Sequence, residues 1–130
     1  MVAVDTNVLV RFLTRDDPRQ AARAAALLRS EQIWLAKSVL LETEWVLRAL
    51  YGFAPDRVLE ALQSLAGLPN VHLEDPPVVA GALEWSRQGL DFADALHLAS
   101  RGPAQTFATF DESLVRRVRR LGAGFVTRLS

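Results

Sequence analysis

Residues 2–10 read VAVDTNVLV, and the reading of that stretch decides the fold. Three small aliphatics form a short buried strand, Val2 to Val4, and a carboxylate, Asp5, stops it. Asn7 to Thr14 then carries the spacing of a helix. Burying a lone aspartate is costly unless donors or a cation meet it. Asp5 therefore either caps the helix or belongs to a site completed from further along the chain.

Working outward, strand and helix signals alternate. Asp17-Pro18-Arg19-Gln20 opens a second helix with an acid at the N-cap, proline at N1 and glutamine at N3, running to Arg29. Ile33 to Ala36 reads as a strand, and Ser38 is expected to cap a helix that continues to Gly52. Pro55 to Gly67 is helical, Val71 to Leu73 is a third short strand, and Pro76-Pro77 leads a helix to about Gln88. Asp91 caps a helix from Phe92 to about Arg101, Thr106 to Phe110 is a strand, and Asp111 caps a helix to Leu121. Phe125 to Leu129 closes the pattern as a strand. Strands separated by helices imply parallel crossovers and a covered α/β sheet.

The chain has 130 residues, half of them hydrophobic and 23% charged, which suits one folded domain spanning 1–130 rather than disorder. It contains no cysteine, which removes disulfides, thiolate zinc sites and cysteine nucleophiles. No basic region precedes the first apolar run, so a signal peptide is not expected, and no apolar stretch reaches the roughly 18–20 residues of a membrane span. A cytoplasmic protein is the expectation. Fifteen basic residues balance fifteen acids, against a globally basic nucleic-acid binder. Only Lys37 among the basic residues is a lysine, and Arg116, Arg117, Arg119 and Arg120 cluster near the C-terminus. Arginine suits bidentate phosphate contacts, although a GC-rich coding sequence would also supply it.

Ligand sites on open parallel sheets lie beyond the carboxyl ends of the strands. Asp5 and Asp111 each follow a strand directly. Glu42 lies one turn into the helix after the second strand, and Asp94 lies in the first turn of its own helix. Four carboxylates converging with few cations would repel one another and protonate unless a divalent ion neutralised them. Oxygen ligands without a cysteine or histidine pair suit Mg²⁺ or Mn²⁺. Taken singly, each acid has a structural explanation: Asp91 and Asp111 as N-caps, Asp94 as an N3 acid, Glu42 and Glu44 as solvated helix positions.

VDTNVLVRFL with Asp5 and Asn7, SVLLETEWVLR with Glu42, DFADALHLA with Asp94 and TFD with Asp111 resemble the four signature segments of PIN-domain ribonucleases. The closest likeness is to the VapC-type toxins of toxin–antitoxin pairs, and it covers nearly the whole chain. The resemblance implies a three-layer α/β/α sandwich around a parallel sheet of four to five strands. It implies an acidic pocket of Asp5, Glu42, Asp94 and Asp111 holding Mg²⁺ or Mn²⁺, supported by the polar residues Thr6, Asn7, Ser38 and Thr109. It further implies hydrolysis of RNA phosphodiesters, a cognate antitoxin and a homodimer. Attack by metal-activated water would leave a 5′-phosphate and need no 2′-hydroxyl. Arg11, Arg15, Arg116 and Arg117 are candidates for holding the RNA backbone. Glu44, Asp91 and His97 stand close enough to matched positions to be considered for the pocket.

Rival phosphate-handling folds fit less well. A phosphoaspartate phosphatase needs a second acid where Asn7 stands, and a receiver domain needs an acidic pair and a late lysine, both absent. The rival of another class is a catalytically silent PIN domain that acts by binding. Trp34, Trp45, Trp85, Leu50, Tyr51 and Phe53 offer more large apolar surface than a small core absorbs, which invites partners.

Overall fold

Val2–Ala3 forms β1, and Asp5 turns the chain directly into α1 (Thr6–Thr14) by accepting the Val8 amide. The computed structural model describes every residue, Met1–Ser130. It divides into two compact units, Met1–Pro76 and Pro77–Ser130.

In the first unit, α2 (Pro18–Ser30) starts where the Asp17 cap and Pro18 dictate, with the Asp17 carboxylate accepting the Gln20 amide. β2 (Ile33–Leu35) lies between β1 and β3 (Val71–Leu73) in a parallel sheet of order β1-β2-β3, with Ile33 opposite Val2 and Val71. The core on one side of this sheet includes Ile33, Leu35 and Val71, with Leu9 and Val10 of α1 also buried. On the other face, Ala3 and Trp34 pair in register and are exposed, Trp34 at 38%. The expected fully buried first strand is thus corrected: alternate residues of β1 and β2 point into the core, as the period of a strand requires.

Two helix details also differ from expectation. α3 (Lys37–Trp45) begins one residue before Ser38, so Ser38 is not its cap. The Lys37 amide is satisfied from a distance, by the Glu74 carboxylate at 2.8 Å. The helix expected to run on to Gly52 widens into a π turn, Val46–Leu50, closed by the Tyr51 amide on the Val46 carbonyl five residues back. α4 (Pro55–Ala66) then presents Val58, Leu59, Leu62 and Leu65 to the core.

In the second unit, α5 (Pro76–Arg87, entered at its first residue from the other unit) is followed by α6 (Phe92–Ala99), β4 (Phe107–Thr109), α7 (Glu112–Arg120) and β5 (Val126–Arg128). β4 and β5 pair in parallel. All five expected strands exist and all their pairings are parallel, so the mixed α/β class holds. The single sheet of four to five strands does not: three strands form one ladder and two form another. Strands of two or three residues have few ladder bonds to offer, and β4 spends its own on β5 through Phe107 to Phe125 and Leu129 to Thr109.

Leu35 is fully buried on the central strand, so Leu35→Ala should cost about 2–5 kcal/mol of stability, read as a lowered urea midpoint with an unchanged slope.

Candidate active site

Helix starts place most of the acids. In the first unit, Asp5 is exposed and holds the start of α1 through Oδ1 alone. Its solvent exposure answers the cost that a buried aspartate would carry. The next residue, Thr6, is buried, and its hydroxyl donates to Oε1 of Glu42 on α3. That bond ties the first turn of α1 to α3 and gives the exposed Glu42 carboxylate a defined orientation. Asn7 and Ser38 lie exposed in the first turns of α1 and α3.

Glu44 is not a solvated position. It is 5% exposed and pairs with Arg48 four residues on, Oε2 to Nε at 2.7 Å, which engages its carboxylate. Arg11 is likewise committed: its guanidinium bonds Asp16 at 3.1 Å, the Tyr51 hydroxyl at 3.0 Å and Gln20 at 2.8 Å. The Tyr51 hydroxyl donates in turn to Asp16 and holds that carboxyl below the usual aspartate range. Sequence spacing carried no sign of this network, because its members lie on separate elements. Arg15 is exposed at the left-handed C-cap of α1, with φ 55°.

In the second unit, the Asp91 carboxylate accepts the Asp94 amide through Oδ2, which starts α6 and puts Asp94 at N3. Asp111 starts α7 through Oδ1 alone, accepting from the Ser113 amide, the Ser113 hydroxyl and the Leu114 amide. The Ser113 hydroxyl, then the Leu114 amide, holds the Asp111 carboxyl below its usual range. Ser113 was legible as the third residue of an Asp-x-Ser helix start, a common local pattern. The Thr109 hydroxyl accepts the Asp111 amide at 3.0 Å, so β4 fixes the backbone that carries the acid.

Asp94 is the perturbed group. Burial pushes its carboxyl above the usual aspartate range, and the negative charges of Asp91 and Asp111 push it further. His97, exposed one turn along, and Arg117 on α7 pull it back without cancelling the shift. Of the expected RNA-contacting arginines in this unit, Arg117 therefore lies in the field of the acids, while Arg116 pairs with Glu112 at 3.3 Å.

No three Asp, Glu or His side chains stand close enough together, as oriented, to hold a metal ion. The donor chemistry nevertheless fits a hard divalent cation. Asp91 and Asp111 both oppose the ionisation of Asp94, and the caps made by Asp5, Asp91 and Asp111 each use a single carboxylate oxygen.

The family whose pattern matches the chain is the PIN domain, over residues 2–121. The match takes in Asp5, Glu42, Asp94 and Asp111 and nearly the whole length, and the chain belongs to the PIN-domain family. PIN domains are generally nucleases built as three-layer α/β/α sandwiches, and typically use divalent metal ions. No curated protein and no solved structure matches the chain. No helix is long and apolar enough to cross a membrane.

Two variants test the local physics. Because the folded Asp94 carboxyl binds its proton more tightly than the unfolded one, the folded state holds more protons between the two pKa values. Stability falls as pH rises through that window and stays lower above it. Asp94→Asn, which does not titrate, should melt higher than wild type in EDTA at pH 7, with the difference closing toward pH 3. Thr6→Val keeps the shape and removes the Glu42 bond, and should lower stability by about 1 kcal/mol in urea titrations.

Proposed function

We propose that the chain is a metal-dependent endoribonuclease and the toxin of a VapC-type toxin–antitoxin pair, residues 1–130 acting as one cytoplasmic PIN domain. The observation that carries this reading is the state of Asp94: a half-buried carboxylate kept beside two others, Asp91 and Asp111, with only partial compensation. A helix start needs one acid, which Asp91 already supplies. The added negative charge serves a cation.

Asp5, Glu42, Asp94 and Asp111 would hold Mg²⁺ or Mn²⁺. When bound, the ion supplies positive charge that polarises a phosphoryl oxygen and makes a water more acidic. The rest is done by the chain. Thr6 orients Glu42, and Thr109 fixes the backbone at Asp111. The caps hold Asp5 and Asp111 before any ligand arrives, which reduces the reorganisation a bound state requires. Asn7 and Ser38 add polar groups at the starts of α1 and α3. Arg15 and Arg117 remain candidates for the RNA backbone, whereas the ion pairs of Arg11 and Arg116 speak for structural roles.

Exposed Trp34, Trp45, Leu50, Tyr51 and Phe53 support a homodimer and a cognate antitoxin. Trp85 is withdrawn from that set, since it packs on Phe125 with ring centroids 5.8 Å apart. An antitoxin arginine meeting the acids would inhibit by charge-assisted bonds. The alternative, a silent binding module, draws its support from the lack of any three acids already close enough to chelate.

Incubating the protein with a panel of structured and single-stranded RNAs separates the readings. Cleavage is expected in Mg²⁺ or Mn²⁺, arrested by EDTA, with 5′-phosphate and 3′-hydroxyl ends. Ends carrying 2′,3′-cyclic phosphates would overturn the hydrolytic chemistry, and a folded protein that cleaves nothing in the panel is the silent module.

A further inference from the structure

The charge balance of the whole chain hides a local excess on α2. This helix carries Arg19, Arg23 and Arg29 and no acidic residue. Arg19 and Arg23 are four residues apart, hence on one face, and both are exposed. Neither stands in an ion pair, unlike Arg11, Arg48, Arg87, Arg116 and Arg128. The nearby acids are already engaged: Asp16 by Arg11 and Tyr51, Asp17 by the Gln20 amide.

Placement argues that this charge is not incidental. Arg19 sits in the first turn of α2, where the helix dipole disfavours a cation, and no first-turn acid offsets it. Beside this face, α1 and α2 form a groove of about 350 Å³ lined by Asn7, Arg11, Gln20, Arg23, Ala24 and Leu27, among others. The groove reaches the helix start that Asp5 caps, since Asn7 is the second residue of α1. A polyanion lying along it would meet the unpaired Arg23 guanidinium, with Arg19 one turn back on the same helix face, and run toward the start of α1 that Asp5 caps.

We infer that the Arg19–Arg23 face of α2 and the groove it forms with α1 bind the phosphate backbone of single-stranded RNA and lead it to Asp5. This rests on the nuclease reading above and assigns its substrate track. Planar guanidinium groups suit phosphate bidentately. The contact reads backbone, so it is indifferent to base sequence.

The test is binding of a fluorescein-labelled 20-nucleotide oligouridine to the full chain in EDTA, by anisotropy, over a series of salt concentrations. Each lost phosphate contact lowers the slope of log K against log salt by about 0.7 for a single strand. Arg19→Ala/Arg23→Ala should therefore flatten the slope by about 1.4 and weaken binding roughly 20-fold at 0.1 M salt, the loss closing toward 1 M. Alanine favours the helix, and an unchanged circular dichroism spectrum confirms the fold. Arg57→Ala/Arg87→Ala makes the same change in net charge elsewhere and should leave the slope alone. Arg19→Lys/Arg23→Lys keeps the charges and should keep the wild-type slope.

An unchanged slope in Arg19→Ala/Arg23→Ala, while wild type binds and cleaves RNA, overturns this inference and leaves the nuclease reading standing. Equal losses in both double variants overturn it as a net-charge effect. A wild type that prefers an oligoglutamate peptide to the oligonucleotide, with the preference lost in Arg19→Ala/Arg23→Ala, makes the groove a protein-docking surface instead. A wild type that neither binds nor cleaves RNA removes the nuclease reading and this track together.

Discussion

One hydrogen bond, from the Val8 amide to Oδ1 of Asp5, converts the first strand into the first helix, and the same device recurs at two later helix starts. A helix begins with amides that its own backbone cannot satisfy, and a short carboxylate is among the best acceptors for them. Asp91 does the same for α6 and Asp111 for α7. Acids placed for a structural reason at helix starts are thereby fixed in orientation. Because each cap engages one oxygen, capping and ligation are compatible in the same residue.

Asp94 breaks the pattern. It starts nothing, since Asp91 already supplies the carboxylate for α6, and it is held where burial and two neighbouring charges oppose its ionisation. Thr6 and Glu42 show the complementary arrangement in the first unit, a buried hydroxyl spent on orienting an exposed carboxylate.

The arginines divide by the same accounting of partners. Arg11 and Arg48 are consumed internally, one by Asp16 and Tyr51, the other by the buried Glu44. Arg116 and Arg128 share Glu112. What remains exposed and outside any ion pair includes Arg15, Arg19, Arg23 and Arg117, and net charge alone could not have separated the two groups.

The sequence by itself determined the features that depend on near neighbours. The Asp17-Pro18 start of α2, the Asp91 and Asp111 caps, the five strand positions and the parallel sense of their pairing are all present. Each follows from capping, from proline geometry or from apolar runs a few residues long. The family itself was legible for the same reason, since its signature segments are short local stretches and the match runs over residues 2–121. Tertiary structure alone decided the rest. Glu74 took the Lys37 amide that Ser38 was expected to govern, from 37 residues away. The π turn arose where α3 meets the loop carrying Tyr51 and Phe53, with no glycine or proline inside it to announce it. Five strands split into ladders of three and two because pairing depends on which backbone groups meet in space. Asp94 is perturbed first because the fold half-buries it, and α7 adds the charge of Asp111 to that of its neighbour Asp91. Hydrogen bonds and fields between distant residues depend on proximity, and proximity is a property of the folded chain.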